Sequence, residues 1–259
     1  MIVPHSNPAS AARALHEYLG WTNPKDFTVD EIASSLGILV KDAPIEGSDG
    51  RILIKGKTAI ITINSAITRY ERRNFILTHE IGHFLLHKNI SALFSDTELT
   101  LSEWYKKGIH EQEANTFASE FLMPEELFKA KVVRQKLSTN LIHDVAGYFG
   151  TSLLATFIRY VTLGEYPAMV IFMKDATVCW KLYSKDFPFT YLPKESKVPA
   201  WTVAGDYFYK GQLEAQPEKV SAIEWFPEDY QIKYKSDSKL WEQCYQVGRN
   251  CLVSCLWTN

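Results

Sequence analysis

Arg69-Tyr70-Glu71-Arg72-Arg73-Asn74-Phe75-Ile76-Leu77-Thr78-His79-Glu80-Ile81-Gly82-His83-Phe84-Leu85-Leu86-His87 contains no proline and one glycine, and it reads as one long helix. Within it, His79-Glu80-Ile81-Gly82-His83 has the pattern His-Glu-x-x-His. Positions i and i+4 of a helix lie one above the other on the same face, so the two imidazoles can address one metal ion. Glu80 is rotated away from that pair, which leaves its carboxylate available to a water molecule rather than to the ion. Phe75, Ile76, Ile81, Phe84 and Leu85 supply apolar neighbours and turn the helix towards a core. His87 continues the spacing, but it lies about 12 Å along the axis from His79 at 1.5 Å per residue. The three histidines cannot share an ion, which makes His87 a structural or supporting residue.

A catalytic zinc needs a third protein ligand and one open position. Leu86 and Asn89 stand where a Gly and a third His would complete the metzincin pattern, so that arrangement fails. The remaining source is a downstream glutamate, and Glu111-Gln112-Glu113-Ala114-Asn115-Thr116-Phe117-Ala118 offers two. Glu111 aligns with Ala114, Asn115 and Ala118, small residues that let this helix approach the histidine helix closely. Asn115, one turn on, is placed to hydrogen-bond a ligand histidine. Glu113 aligns instead with Phe117 and Phe121. Both glutamates stay open as the third ligand on this reading. Zn²⁺ is the expected ion, one per chain, with another divalent ion such as Mn²⁺ the alternative.

Around this core the rest of the chain is ordinary for a soluble globular protein. It has 259 residues, 46% hydrophobic and 22% charged, with 28 Lys+Arg against 30 Asp+Glu. A net charge of −2 argues against attachment to nucleic acid by bulk charge. No apolar run approaches the ~20 residues of a membrane span. The opening residues lack the basic and apolar regions of a signal peptide, and four cysteines do not make a disulfide scaffold. The expectation is a cytoplasmic, reduced protein with no membrane partner.

Helices are expected at residues 8–20 and 26–37, the second with Thr28 as N-cap and Gly37 as stop. Ile38-Leu39-Val40 reads as a strand, and Arg51–Lys55 with Thr58–Asn64 as a hairpin around Gly56-Lys57. Three helical segments follow Pro124, at residues 125–136, 140–149 and 152–161, the last two having the outline of a helix-turn-helix. Lys129, Lys131, Arg134, Lys136 and Arg159 flank that pair, so DNA contact is one reading of it. Its candidate recognition helix, Ser152–Tyr160, is mostly apolar and offers few groups for base edges, which favours packing or substrate docking. Beyond Pro167 the composition shifts, with Trp180, Trp201, Trp225, Trp241 and Trp257 all in the last third. Ala168–Met173 and Thr177–Tyr183 read as a hairpin and Cys251–Trp257 as a final strand. Cys244, Cys251 and Cys255 do not fit a paired Cys-x-x-Cys site and read as buried thiols.

The order and spacing of several pieces resemble the ImmA/IrrE metallopeptidases. These are Arg72–His87, Glu111–Ala118, Glu120-Phe121-Leu122-Met123-Pro124, Glu31-Ile32-Ala33 with Leu36-Gly37-Ile38, Val145–Ser152 and Arg159, covering roughly residues 10–163. The resemblance implies a zinc-dependent endopeptidase of bacteria or their mobile elements that cleaves a helix-turn-helix repressor in a stress or mobile-element response. The Glu-x-x-Ala-Asn/Asp pattern is also similar to that of integral-membrane zinc proteases, whose first glutamate binds the metal, and this favours Glu111 as the ligand. The implied fold class is α+β, with a zincin-like metallopeptidase domain (1–124) carrying a small antiparallel sheet, a helix-turn-helix-like region (125–165) and a β-rich C-terminal domain (166–259). A GAF-like sensory domain occupies that last position in larger members. The expected roles are His79, His83 and Glu111 (or Glu113) as ligands, Glu80 as general base, and Asn115 supporting a ligand. A regulatory protein that binds a repressor or DNA without cutting, with a structural or vestigial metal site, is the alternative. Residues 89–108 link the two metal-bearing helices and are expected to form either a flap over a bound peptide or a segment packed on the domain.

Overall fold

The computed structural model describes residues 7–87, 93–96 and 108–258, with the backbone alone at 93–96. The chain divides into two compact units. One comprises Met1–Phe128 with Ala146–Ser152, and the other Lys129–Val145 with Leu153–Asn259.

The first unit begins with helix α1 (Pro8–Leu19), whose start is fixed by the Asn7 side chain accepting from the Ser10 N–H and by proline at its first position. Gly20, at φ +63°, ends it in the left-handed conformation. Helix α2 (Val29–Ser35) lies within the expected 26–37 stretch and has the expected Thr28 as its N-cap. Thr28 and Glu31 form a reciprocal capping box there, which fixes the first turn at Val29. Strands β1 (Ile38–Ala43), β2 (Gly50–Lys55) and β3 (Thr58–Asn64) precede helix α3 (Tyr70–His87), and β4 (Leu93–Asp96) precedes helix α4 (Ile109–Leu122). The sheet order is β1-β3-β2-β4.

The sheet is mixed rather than wholly antiparallel. β2 pairs antiparallel with β3 and β4, but β1 runs parallel to β3. The reason is the connection from Ala43 to Gly50, which carries the chain past the position that β3 fills. Along β2, buried and exposed residues alternate, so Ile52 and Ile54 face the core. They pack with Ile61, Ile63, Ile76, Leu77, Ile81, Phe117 and Phe121. Each such side chain taken fully out of water contributes about 1.5–3 kcal/mol. Arg73 locks α3 in place through two contacts to Asp30, at 2.7 and 2.9 Å, and two longer ones to Asp42 in β1. The 89–108 segment lies almost wholly outside the described residues; β4 lies within it, and Gly108 is the N-cap position of α4.

Helix α5 (Glu125–Val132) is shorter than the 125–136 pattern because Arg134 adopts φ +57°, a conformation that a helix cannot contain. Helices α6 (Thr139–Phe149) and α7 (Leu153–Leu163) follow, with Gly150 at φ +63° supplying the turn after α6. In the second unit an antiparallel sheet has the order β6-β5-β9-β8-β7. Its strands are β5 (Ala168–Lys174), β6 (Thr177–Tyr183), β7 (Glu218–Ser221), β8 (Lys239–Gly248) and β9 (Cys251–Trp257). Met169, Ile171, Phe187, Phe189, Trp225, Phe226 and Leu252 are among its core. Cys244 and Cys255 are buried thiols, whereas Cys251 and Cys179 are half-buried. No single described helix is long and apolar enough to cross a membrane.

Candidate metal centre

Helix α3 buries an uninterrupted run from Ile76 to Phe84 that includes His79, Glu80 and His83. Burying three ionisable groups on one helix is costly unless they are paired or ligate a metal. Helix α4 lies against α3, and the close approach comes from small residues on both sides. A Cβ at Gly82 would stand 3.1 Å from the Phe117 ring and 3.3 Å from the Ala114 backbone. Ala114 and Ala118 are completely buried.

This packing brings Glu111 to the two histidines. Nε2 of His79 and Nε2 of His83 are 3.0 Å apart. Glu111 Oε2 lies 3.4 Å from the first, and its Oε1 3.3 Å from the second. Ligand atoms held about 2.0–2.1 Å from a tetrahedral zinc are roughly 3.4 Å from one another. The Glu111 carboxylate turns one oxygen to each imidazole, so all three side chains can face one ion, and His79, His83 and Glu111 form a candidate metal-binding group with one ligand atom of each within 4.8 Å of the others.

Protonation states suit the same role. Burial lowers the pKa of His83 despite its contact with Glu111. Burial alone would raise the Glu111 carboxyl, but its contacts with His79 and His83 outweigh this and hold it well below the usual carboxylate range. A neutral imidazole at His83 and an ionised carboxylate at Glu111 are forms that a divalent ion requires.

The supporting residues are distinct. Nδ1–H of His79 donates to Asn115 Oδ1 at 3.0 Å, fixing the tautomer that leaves Nε2 for the ion. Glu113 does not join this group. It stands 2.9 Å from Nε2 of His87, and His87 in turn lies 3.0 Å from His83 through their Nδ1 atoms. Glu80 is fully buried, between His79 and His83 in the sequence of α3.

Sequence reasoning missed Gly50, the first residue of β2. A Cβ there would stand 2.5 Å from Ile76 Cγ2 and 2.9 Å from Glu80 Oε1. A bare strand start is what lets the Glu80 carboxylate occupy its place. The signal was faint: a glycine opening a strand pattern marks close approach of another group.

Residues 33–159 match the model of the peptidase M78 family, the IrrE N-terminal-like domain. No curated protein matches the sequence. Among solved structures, a Mycobacterium tuberculosis transcriptional regulator superposes with a TM-score of 0.62 at 14% identity, covering 97% of this chain and 76% of that one. At that identity the likeness concerns the fold. The motif, the spacing of the candidate ligands and the family match converge: the chain carries, at residues 33–159, an IrrE N-terminal-like domain of the peptidase M78 family.

Proposed function

We propose that the protein is a zinc-dependent endopeptidase acting on a cytoplasmic protein, a helix-turn-helix transcriptional repressor. The observation that carries this is Glu80. A purely structural ion has no use for a fourth ionisable group, yet a carboxylate is completely buried next to the ligand histidines, and a strand glycine makes room for it. His79, His83 and Glu111 would hold the ion. When bound, zinc supplies Lewis acidity towards a peptide carbonyl and towards water. Glu80 takes the proton of the attacking water and delivers it to the leaving amine. Asn115 holds the His79 ring so that Nε2 faces inward.

The second reading, a regulator that binds without cutting, finds support in the structural neighbour, which is a transcriptional regulator. For the helix-turn-helix outline, α7 buries Thr156, Phe157, Tyr160 and Val161, which supports a packing role over base readout. The deciding experiment incubates the purified protein with the repressor encoded nearest to it, with and without a chelator. Chelator-sensitive cleavage supports the peptidase; stable, metal-independent binding with the repressor intact supports the regulator.

A further inference from the structure

His87, His110 and Glu113 also converge, with donor atoms all within 4.8 Å of one another. By distance alone they are a second place for an ion. Proton accounting points elsewhere. A neutral imidazole carries one ring proton. With Nε2 of His83 committed to the ligand set, that proton sits on Nδ1, which lies 3.0 Å from Nδ1 of His87. His83 therefore donates and His87 accepts. The proton of His87 is then on Nε2, where it is donated to Glu113 Oε2 at 2.9 Å. An ion on Nε2 of His87 would need the electron pair that holds this proton.

We propose that Glu113 and His87 are positioning residues: a hydrogen-bonded relay, from carboxylate through imidazole to His83, that fixes the His83 ring and increases its basicity towards the ion. The inference rests on the metal-site reading above. The relay spans the same two helices as the ligand set, since His87 closes α3 and Glu113 lies on α4. His87 is 1% exposed, so its ring is held by packing. The two ligand histidines are thus supported differently: His79 by a neutral amide, and His83 by an anion acting through a second ring. In this arrangement the His87–His110–Glu113 cluster holds a proton rather than a second ion.

The test uses full-length protein. Zinc affinity is measured by competition with a chromophoric chelator, zinc content by elemental analysis, and ring protonation by ¹⁵N NMR of histidine-labelled, zinc-loaded protein. The wild type should bind one ion per chain and show the His87 proton on Nε2. His87→Ala should weaken zinc binding about 10–100-fold, the usual effect of losing such a partner. His87→Asn, whose Oδ1 can still accept from His83, should recover part of the loss. Glu113→Gln changes charge with little change of shape, so it keeps the proposal testable should His87→Ala misfold; it should weaken binding by a smaller factor. Unchanged affinity in His87→Ala and Glu113→Gln, with one ion on the wild type, overturns the relay alone. Two ions per wild-type chain, or a His87 proton on Nδ1, also overturns it. A wild type that binds no zinc overturns the metal-site reading itself, and the wild-type arm reads that outcome separately.

Discussion

At the scale of single residues, Glu80 is, on the proposed function, the group whose removal separates chemistry from binding. Glu80→Gln should retain zinc at the wild-type level and lose about 10²–10⁴ in cleavage rate. Elemental analysis and repressor cleavage measured side by side check this; loss of zinc would make Glu80 a ligand. His16 illustrates the opposite role. Burial against Trp21 and Phe121 pushes its pKa to about 4, only partly offset by its bond to the Phe121 carbonyl. The unfolded chain takes up a proton near pH 6.5 that the folded chain refuses until about pH 4. The buried ring therefore costs nothing well above pH 6.5, costs stability progressively as pH falls towards 4, and adds no further cost below. His16→Gln keeps a donor for Phe121 and should remove a cost of about 2–3 kcal/mol at pH 4. Urea unfolding of the metal-free variant and wild type at pH 7.5 and 4.5 measures that difference, and equal pH dependence would reject the assignment.

At the scale of elements, the site depends on how closely α3 approaches β2 and α4. Gly50→Ala places a methyl group within 2.5 Å of Ile76 and 2.9 Å of Glu80. Overpacking of this kind costs about 1–3 kcal/mol, and here it displaces the proposed base rather than a proposed ligand. Cleavage should fall at least about tenfold, given that removing a base outright costs 10²–10⁴, while zinc affinity stays at the wild-type value. Loss of zinc with retained cleavage per bound ion would contradict this. The element scale also shows what the sequence could convey. The α3 helix and its His-Glu-x-x-His pattern were legible because helical spacing is a local property. Glu111 and Glu113 were not separable by spacing, since the choice depends on the rotation of α4 against α3, a packing property. The pairing of His87 with Glu113 was hidden for the same reason. The parallel edge of the first sheet escaped because strand order depends on where a connection passes. Strand β8 went unread because Glu242, Gln243 and Gln246 blur the pattern of a buried strand.

At the scale of the whole molecule, the second unit has its own polar anchor. Glu242 is fully buried and accepts from the Val203 and Ala204 N–H groups, the Trp225 indole and the Ser254 hydroxyl. Burial raises its pKa, and these donors oppose the shift. Glu242→Leu leaves several buried donors without an acceptor and should cost about 3–5 kcal/mol. Calorimetry that shows no destabilisation would contradict this role. The first unit carries the central claim, that two histidines from α3 and one glutamate from α4 hold a single catalytic ion. The most direct measurement is the zinc content of purified wild type, Glu111→Ala and Glu113→Ala after dialysis against a weak chelator. The account predicts one ion per chain in the wild type, near-complete loss in Glu111→Ala, and a site still formed, though weakened, in Glu113→Ala. Full zinc in Glu111→Ala, or the reverse ranking of the two variants, would contradict it.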